Sequence, residues 1–302
     1  MDLSVILVNW NSLSLTSEAL RSLRAHTQGI EYEVFVTDNG SKDPAEPEAL
    51  LREFPWIHLV RNPDNRGFSK ANNQGIRRAR GRYVLLLNND TVQVENALGA
   101  SVAWIDAHPD VGALGITHLN NDEARTYQAS FFPFPEGWAD VKAVFGVGDY
   151  RPPEPDYTRE QDVDWVVGSY LFMRRACFED VGELDERFFI YDEDIDWCLR
   201  ARRLGWRITY WPGAKMVHLG AASRPFMKDK TFVHFRSHLS YLAKHHGPAA
   251  PLYYLGMSAR MGGATAKQVL RWMAGSGSAD ELRQRLVRQR QFMTLQHGRK
   301  GG

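Results

Sequence analysis

Residues 83–91 read YVLLLNNDT, an apolar run that ends in two amides and a carboxylate. The first five residues have no polar face, which predicts a buried strand. Asn88, Asn89 and Asp90 then have two interpretations. They form a turn that satisfies its own backbone, or they form a metal and phosphate site, because open α/β sheets bind ligands at the carboxyl ends of their strands.

The size and composition of the chain are those of a soluble globular protein. Its 302 residues can bury a sizeable core, in one large domain or two smaller ones. A net charge of +1 and 43% apolar residues fit neither a disordered nor a fibrous chain. The balanced charge indicates no nucleic-acid partner, and none is expected.

The sequence also bears on the cellular compartment. Cys177 and Cys198 are too few for a disulfide framework, which favours a reducing compartment. The N-terminus has no signal-peptide pattern. No uninterrupted apolar run reaches the roughly 20 residues that a membrane span needs. We therefore expect a cytoplasmic protein.

The first half of the chain alternates predicted strands and helices. This rhythm predicts an α/β fold with a mostly parallel, doubly wound sheet and right-handed crossovers. Neither common glycine-rich nucleotide loop, G-x-G-x-x-G or G-x-x-x-x-G-K-[ST], occurs. The strands are expected at 3–10, 32–41, 56–62 and 83–90, and the helices at 14–26 and 69–80.

The second half is less regular. Residues 133–164 are rich in proline, glycine and aromatic residues, which predicts a long loop over the sheet. A strand is expected at 164–175, a helix at 195–204 and a further strand at 206–212.

The tail from 251 to 302 differs in kind, because it holds nine lysine and arginine residues against Asp280 and Glu281. Leu282, Leu286, Phe292 and Met293 give it a rough apolar stripe. Such a basic helix is typical of peripheral contact with an anionic membrane surface. The alternative is a solvated helix that packs on the domain or on a partner chain, as in a homo-oligomer.

Polar clusters follow three of the early strands. The carboxyl ends of parallel strands meet at one edge of a sheet, so these clusters should converge there. They are Asn9-Trp10-Asn11, Asp38-Asn39-Gly40-Ser41 and Asn88-Asn89-Asp90.

Several separated motifs resemble family 2 of the inverting glycosyltransferases, in its bacterial rhamnosyltransferase-like branch. The resemblance covers roughly residues 3–220. It implies a GT-A (Rossmann-like) domain over 1–250, with a nucleotide-sugar half at about 1–120, an acceptor half at about 121–250, and a basic helical extension at 251–302. The motifs are ILVNWNS, VTDNGSKD, NRGFSKANNQGI, LLLNNDT, GSYLFMRR and FIYDEDIDWCLR.

The first two motifs fall where the family lines the nucleobase and ribose, which implies roles for Asn9, Trp10, Asn11 and Asn39. The resemblance places Asp38 against the base. An ionised carboxylate only accepts hydrogen bonds. It therefore selects uracil or thymine, whose N3 is a donor, over cytosine. The alternative is a turn aspartate that serves the two residues after Asn39.

In NRGFSKANNQGI, Gly67 allows an unusual turn, and Ser69 is a candidate N-cap of the following helix. Its exposed N–H groups could face the donor's phosphates. Relatives often have an arginine where this chain has Asn72, and Lys70 or Arg66 is the candidate replacement.

The resemblance assigns Asp90 to the family's D-x-D-like metal position, with Mg²⁺ or Mn²⁺ as the cofactor. A carboxylate is a suitable hard ligand, and one suffices when substrate phosphates supply the rest. Asn88 is expected on the ribose or on a metal-bound water, with Asn89 beside it. His218 matches a histidine that some relatives use as a further metal ligand; the alternative is a structural histidine.

The run YDEDIDWCLR holds Asp192, Glu193, Asp194 and Asp196, and crowding like charges can raise the pKa of a carboxyl group. Inverting transfer needs a carboxylate that takes the acceptor's proton. The family's E-D pair falls on Glu193 and Asp194, which implies that Asp194 is the base. The alternative is capping of a helix start, with Asp192 as the cap.

Trp165, Gly168 and Ser169 lie in a segment that the family places near the donor sugar and acceptor. Gly168 would let the backbone approach a ligand, and Trp165 either faces a sugar ring or packs in the core.

These expectations describe a metal-dependent inverting glycosyltransferase. It would move a sugar from a UDP or dTDP donor, with L-rhamnose from dTDP-rhamnose first, to a hydroxyl of a glycan or lipid-linked oligosaccharide at the inner face of the plasma membrane. One alternative is a non-catalytic, nucleotide-sugar-binding scaffold subunit of a glycan assembly complex. A sugar nucleotidyltransferase is a second, but VNWNS stands where its glycine-rich loop should be.

Overall fold

The buried strand expected at 83–87 is β4 (Tyr83–Leu87), and all five of its residues are buried. It pairs in parallel with β1 (Leu3–Asn9), which pairs in parallel with β2 (Tyr32–Asn39). β3 (His58–Asn62) continues the parallel sheet beyond β2. Alternate residues of these strands face opposite sides of the sheet. Val5 and Ile6, for example, belong to separate core clusters.

The computed structural model describes residues 1–147, 154–220, 230–274, 276 and 278–294. The chain divides into two compact units. Unit 1 comprises Met1–Phe134 and Pro153–Ser237, and unit 2 comprises Pro135–Pro152 and His238–Gly302. The sequence-based boundaries near residues 120 and 250 stay predictions.

Three helices follow the first three strands: α1 (Leu13–His26), α2 (Ala45–Glu53) and α3 (Phe68–Ile76). The sequence indicates α1 and α3. It does not indicate α2, because prolines at 44 and 47 look like loop signals. Both lie at the start of the helix, where a missing N–H costs nothing.

Beyond β4 the sheet becomes mixed. β11 (Tyr170–Arg174) runs antiparallel between β4 and β6 (Val111–Leu119). β12 (Arg207–His218) is parallel to β6, and β5 (Thr91–Gln93) is antiparallel at the edge. The strand order is β3-β2-β1-β4-β11-β6-β12-β5. The predicted α/β class is confirmed.

The remaining elements of unit 1 are shorter strands and three helices. They are α4 (Ala97–Asp106), β7 (Tyr127–Gln128), β8 (Phe131–Phe132), β9 (Gln161–Asp162), β10 (Trp165–Val166), α6 (Arg175–Val181) and α7 (Glu193–Arg203).

Unit 2 is helical where it is described. It holds α5 (Gly137–Val144), the end of α8 (Lys230–His245), α9 (Ala249–Met273) and α10 (Ala279–Thr294). The expected long loop at 133–164 is therefore wrong over α5, and residues 148–153 lie outside the described ranges. So do residues 295–302 of the tail and the side chains of Phe292 and Met293. No helix in the described ranges is long and apolar enough to cross a membrane.

The sequence pattern misses β6 and ends β12 too early. β6 contains Gly112 and Gly115, which weaken a strand signal but let neighbours approach closely. β12 continues past the proline at 212, because the pairing shifts register between Trp211 and Lys215. A proline is tolerated at such an irregularity.

We expect Gly115→Ala to destabilise the fold by about 1–3 kcal/mol, because its Cβ would lie 2.6 Å from Val166 Cγ1. Gly262→Ala in α9 is the control, since nothing lies within 4 Å of its Cβ and alanine favours a helix. Urea unfolding of both variants measures the difference. Equal stability of the two would contradict the tight packing at Gly115.

Candidate functional site

The ends of β1, β2 and β4 meet around a cavity of about 400 Å³. The structure thus brings the three polar clusters together, as the sheet topology predicts. Five of the predicted residues line this cavity: Trp10, Asn39, Asn88, Asn89 and Asp90.

Asn9 and Asp38 lie beneath the cavity as buried anchors. Asn9 Nδ2 donates to Asp38 Oδ1 at 2.8 Å, and Thr16 Oγ1 donates to Asn9 Oδ1 at 2.7 Å. Asp38 also accepts from Ser41 Oγ at 2.6 Å. The first two bonds join β1, β2 and α1, and the bond from Ser41 is a turn contact of the kind that the alternative interpretation of Asp38 expects.

The amide side chains of Asn39 and Asn89 position their surroundings by hydrogen bonds. Asn39 Oδ1 accepts from Arg66 N at 3.1 Å, and its Nδ2 donates to Asn65 Oδ1 at 2.9 Å. Asn89 Nδ2 donates to Ser12 Oγ at 2.7 Å. The loop before α3 and the start of α1 are thereby held at the cavity.

Asn11 takes part in the same turn system. Its φ of 51° is left-handed, a conformation that asparagine tolerates. Its Oδ1 accepts from Lys42 N at 2.8 Å. The residue therefore fixes the loop after β2 to the loop after β1.

The start of α3 differs from the expectation. Gly67, with φ of 89°, occupies the N-cap position, so the interpretation of Ser69 as the cap is wrong. A Cβ on Gly67 would lie 2.7 Å from Phe189 O, which explains the glycine. Asn72 is buried and donates to Phe68 O within the helix, while Lys70 is half-buried.

Asp90 and His218 come into contact at the edge of the cavity. His218 Nε2 lies 3.2 Å from Asp90 Oδ1, and both side chains are largely buried. His218 Nδ1 lies 2.5 Å from Gln128 Oε1. Gln128 Nε2 donates to Asn120 Oδ1 at 2.9 Å, which leaves its Oε1 as an acceptor for the Nδ1–H of the histidine.

A proton on Nδ1 of His218 has a consequence for its other ring nitrogen, Nε2. With the proton of a neutral His218 on Nδ1, the lone pair of Nε2 faces a carboxylate oxygen. Two acceptors this close need a second proton on the ring or a bound cation between them. A partner that fixes the far nitrogen is also the usual support of a metal-binding histidine.

The described ranges contain no group of three or more histidine, cysteine or acidic side chains arranged to hold a metal. The pair of Asp90 and His218 nevertheless fits a hard divalent cation whose other ligands are water and phosphate oxygens.

His118 of β6 is a neighbour that the motifs do not single out. It is buried, its ring centre lies 5.9 Å from that of His218, and its Nδ1 lies 3.4 Å from Ser169 Oγ. Burial lowers the pKa of His118 to about 3, so its ring is neutral. Nothing in the sequence marks it, because β6 itself is not recognised.

Asp194 lies in the first turn of α7 and is held by two backbone amides. Gly168 N donates to its Oδ2 at 2.8 Å, and Ile195 N donates to its Oδ1 at 2.9 Å. Burial raises the pKa of Asp194 to about 6, although these hydrogen bonds act in the opposite direction. The carboxyl group therefore titrates near neutral pH.

Its neighbours in the acidic run have different surroundings. Glu193 is 5% exposed, and its Oε2 has no hydrogen-bond partner within the described part of the chain. Burial, together with Asp194, raises its pKa well above 4.5. Asp196 instead pairs with Arg200 at 2.9 Å, which is a structural contact.

Tyr191 and Asp192 precede α7 with φ of 72° and 67°, in the left-handed region. Asp192 occupies the N-cap position, as the alternative interpretation predicts, but its side chain makes no capping hydrogen bond. Backbone strain of this kind persists where the surroundings enforce it, commonly at functional sites.

Gly168 and Ser169 connect the acidic helix to the end of β4. Gly168 contacts Asp194 as above, and Ser169 O accepts from Asn88 N at 3.2 Å. Two consecutive residues thus bridge the candidate base and the candidate metal residues that follow β4. Trp165 stacks on Phe132 and donates to Pro133 O, so its contacts are those of packing.

Four apolar residues of the cavity wall are not predicted as site residues: Val8, Phe68, Phe189 and Ile190. Phe189 and Ile190 belong to FIYDEDIDWCLR, so the signal is present in the quoted motif. The two residues do not stand out as site residues, because an apolar pair before a helix ordinarily indicates core packing.

Comparison with known proteins places the chain among glycosyltransferases. The sequence profile of Glycosyl transferase family 2 matches residues 4–182. Rhamnosyltransferase WbbL of Escherichia coli (strain K12) is 26% identical over 251 residues, 80% of this chain and 92% of that protein. N-acetylglucosaminyl-diphospho-decaprenol L-rhamnosyltransferase of Mycobacterium tuberculosis (strain ATCC 25618 / H37Rv) is 29% identical over 233 residues, 70% of this chain and 71% of that protein.

A solved structure shares the fold. The mannosyltransferase PcManGT from Pyrobaculum calidifontis, in complex with GDP-Man and Mn²⁺, is similar with a TM-score of 0.54. The likeness covers 97% of this chain and 80% of that chain at 18% sequence identity, so it concerns the fold alone.

Replacing Glu193 by glutamine should raise the melting temperature more at pH 8 than at pH 5. A carboxyl group whose pKa rises on folding contributes stability below its ordinary value of 4.5, and that contribution is lost as the pH rises through the folded value. Glutamine carries no such pH-dependent loss. The exposed Glu179→Gln is the control, and thermal unfolding at both pH values measures the effect. An equal change at both would contradict it.

Proposed function

This chain belongs to glycosyl transferase family 2, as its motifs indicate, and we propose that it is a metal-dependent inverting rhamnosyltransferase. Its fold is the GT-A fold, and its curated relatives include rhamnosyltransferases. The proposed donor is dTDP-L-rhamnose, with a UDP-sugar as the next choice. The proposed acceptor is a hydroxyl of a lipid-linked glycan at the inner face of the plasma membrane.

The observation that carries this proposal is the charge pattern of the cavity. Its lining holds Asp90 but, among the described residues, no lysine or arginine. A nucleoside diphosphate carries several negative charges, and a bare carboxylate would repel it. Beside Asp90 stands the nitrogen of His218. A divalent cation held by this pair would make the same cavity attractive to a diphosphate.

The nucleotide base would lie over the ends of β1 and β2. Trp10 and Asn39 line the cavity there, and Asp38 lies just beneath. Within the described part of the chain, Asp38 Oδ2 accepts a long hydrogen bond of 3.3 Å from Ser41 N. An ionised carboxylate has further lone pairs, so Asp38 can both stabilise its turn and accept from N3–H of thymine or uracil.

Asp194 would act as the general base. It takes the proton of the acceptor hydroxyl while that oxygen bonds to the anomeric carbon of the sugar. The bond from this carbon to the diphosphate oxygen breaks, and its electron pair leaves with the nucleoside diphosphate. Attack opposite the leaving group inverts the anomeric centre. When bound, the divalent cation neutralises negative charge on the departing diphosphate.

The proposed sugar and acceptor are inferred from the relatives. The relatives from Escherichia coli and Mycobacterium tuberculosis are both rhamnosyltransferases, and the name of the second specifies an N-acetylglucosaminyl-diphospho-decaprenol acceptor. The amides that hold Asp194 also support the reaction class, because they fix the orientation of a carboxyl group whose pKa is raised to about 6.

Nucleotide binding tests the donor site. Calorimetry should show that dTDP or UDP binds with Mn²⁺ and more weakly without it, and that CDP binds at least about tenfold more weakly, because its base offers an acceptor to Asp38. GDP is included because a structural neighbour binds GDP-Man. Asp90→Asn should abolish the metal dependence, whereas the exposed Asp180→Asn should not. Equal binding of all four nucleotides would contradict the role of Asp38.

The Asp194→Asn variant tests the catalytic step. We expect its rate of rhamnosyl transfer to fall by about 10²–10⁴-fold, with nucleotide binding unchanged. In the wild type, kcat/KM should fall as the pH drops below about 6, because the base works only when ionised. An unchanged rate would contradict the role of Asp194 as the base, whereas a wild type that binds nucleotide but transfers no sugar would favour the non-catalytic scaffold.

A further inference from the structure

Helix α9 of unit 2 carries an apolar stripe on its exposed side. The residues recur at intervals of three, four or seven, which places them on one face of an α-helix. The largest are exposed to an unusual degree: Leu255 by 58%, Leu270 by 66% and Met273 by 71%. The stripe consists of Leu252, Leu255, Ala259, Ala266, Leu270 and Met273.

Other sides of α9 supply the packing of the unit. Gly256, on the flank of the stripe, is buried, and a Cβ there would lie 2.2 Å from Val144 Cγ1 and 3.0 Å from Phe145. Thr265, on the far side, is also buried, and α9 contacts both α5 and α10. The stripe is therefore an outward face of a helix that packs through its flank and its far side.

A row of cations flanks the stripe. Arg260, Lys267 and Arg271 each follow a stripe residue by one position and are exposed. α9 contains no aspartate or glutamate over its 25 residues. The basic row therefore has no neutralising charge within its own helix. An anionic surface would complement it.

Large aromatic side chains of unit 2 are also exposed. Trp138 of α5 is 57% exposed. Phe145, which lies beside Gly256, is 50% exposed. Tryptophan favours the boundary between lipid headgroups and acyl chains.

We propose that α9 lies flat on an anionic phospholipid bilayer, with the stripe at the acyl boundary and the basic row on the headgroups. This is the geometry of an interfacial amphipathic helix. The proposal deepens the proposed function, because a lipid-linked acceptor resides in such a bilayer. The sequence pattern places the membrane contact on the stripe that begins at Leu282 in α10, and the proposal places it on α9 instead.

A second copy of the chain is the competing occupant. The small residues at 259, 263 and 266 would allow two α9 helices to approach closely. A two-fold pair would, however, bring two basic rows to one interface, and α9 has no acidic residue to neutralise them. The lipid surface therefore fits the charges better.

Co-sedimentation of the full chain with vesicles tests the proposal. We expect binding to vesicles of phosphatidylcholine and phosphatidylglycerol, weak binding to phosphatidylcholine alone, and weakening by salt. The double variant Leu255→Glu/Leu270→Glu should lower the partition coefficient by at least about tenfold. Val94→Glu/Leu204→Glu, at exposed positions of unit 1, is the matched control and should bind like the wild type.

Three outcomes would overturn the proposal: no binding by the wild type, equal binding by both double variants, or a wild-type dimer that Leu255→Glu/Leu270→Glu converts to a monomer. Binding of dTDP by calorimetry is measured on the same samples. If vesicle binding fails while dTDP binds, only the surface assignment falls. If dTDP fails to bind while vesicles do, only the proposed donor site falls.

Discussion

The contact between Asp90 and His218 at 3.2 Å is the feature on which the candidate site depends. Asp90 lies between β4 and β5, and His218 ends β12. β5 pairs antiparallel with β12 and places Thr91, the residue after Asp90, opposite His218, so this pairing sets the contact. Gln128 Oε1 contacts the other ring nitrogen of the histidine, Nδ1. The pairing of β5 with β12 thus forms a candidate cation site that neither strand could form alone.

Around this pair the protein uses neutral side chains. Asn39, Asn88 and Asn89 line the cavity, and Asn9 beneath it donates to the buried Asp38. Amides can donate and accept, so they tie loops together without adding charge. In the cavity lining, the electrostatic balance therefore rests on the carboxylate of Asp90, the imidazole of His218 beside it and the cation that the two would hold. This is why we assign diphosphate recognition to the metal and not to a basic side chain.

Much of the first half of the fold could be predicted from the sequence. β1, β2 and β4 are short apolar runs followed by turn residues, so their pattern fixes both the strands and the edge at which Asn9, Asp38 and Asp90 meet. In the second half the sequence predicts β11, α7 and the start of β12, but it misses β6. β6 contains glycines that allow close packing against Val166 and Trp206. Such contacts are long-range and leave no local pattern.

The same distinction holds within the site. Asp90 and Asp194 are visible because motifs carry them, whereas His118 and the support of Gln128 depend on β6 and β7, which the sequence pattern does not reveal. At the N-cap of α3 the error is of another kind, because the sequence suggests a residue that the structure does not use as the cap. Serine is the common cap, but the contact between Gly67 and Phe189 O decides where the helix begins.

Anomalous diffraction from crystals grown with Mn²⁺ and dTDP tests the central claim most directly. We predict a single strong manganese peak within bonding distance of Asp90 Oδ1 and His218 Nε2, with the diphosphate oxygens completing its coordination. A diphosphate bound without manganese, or a manganese peak away from these two side chains, would contradict the account.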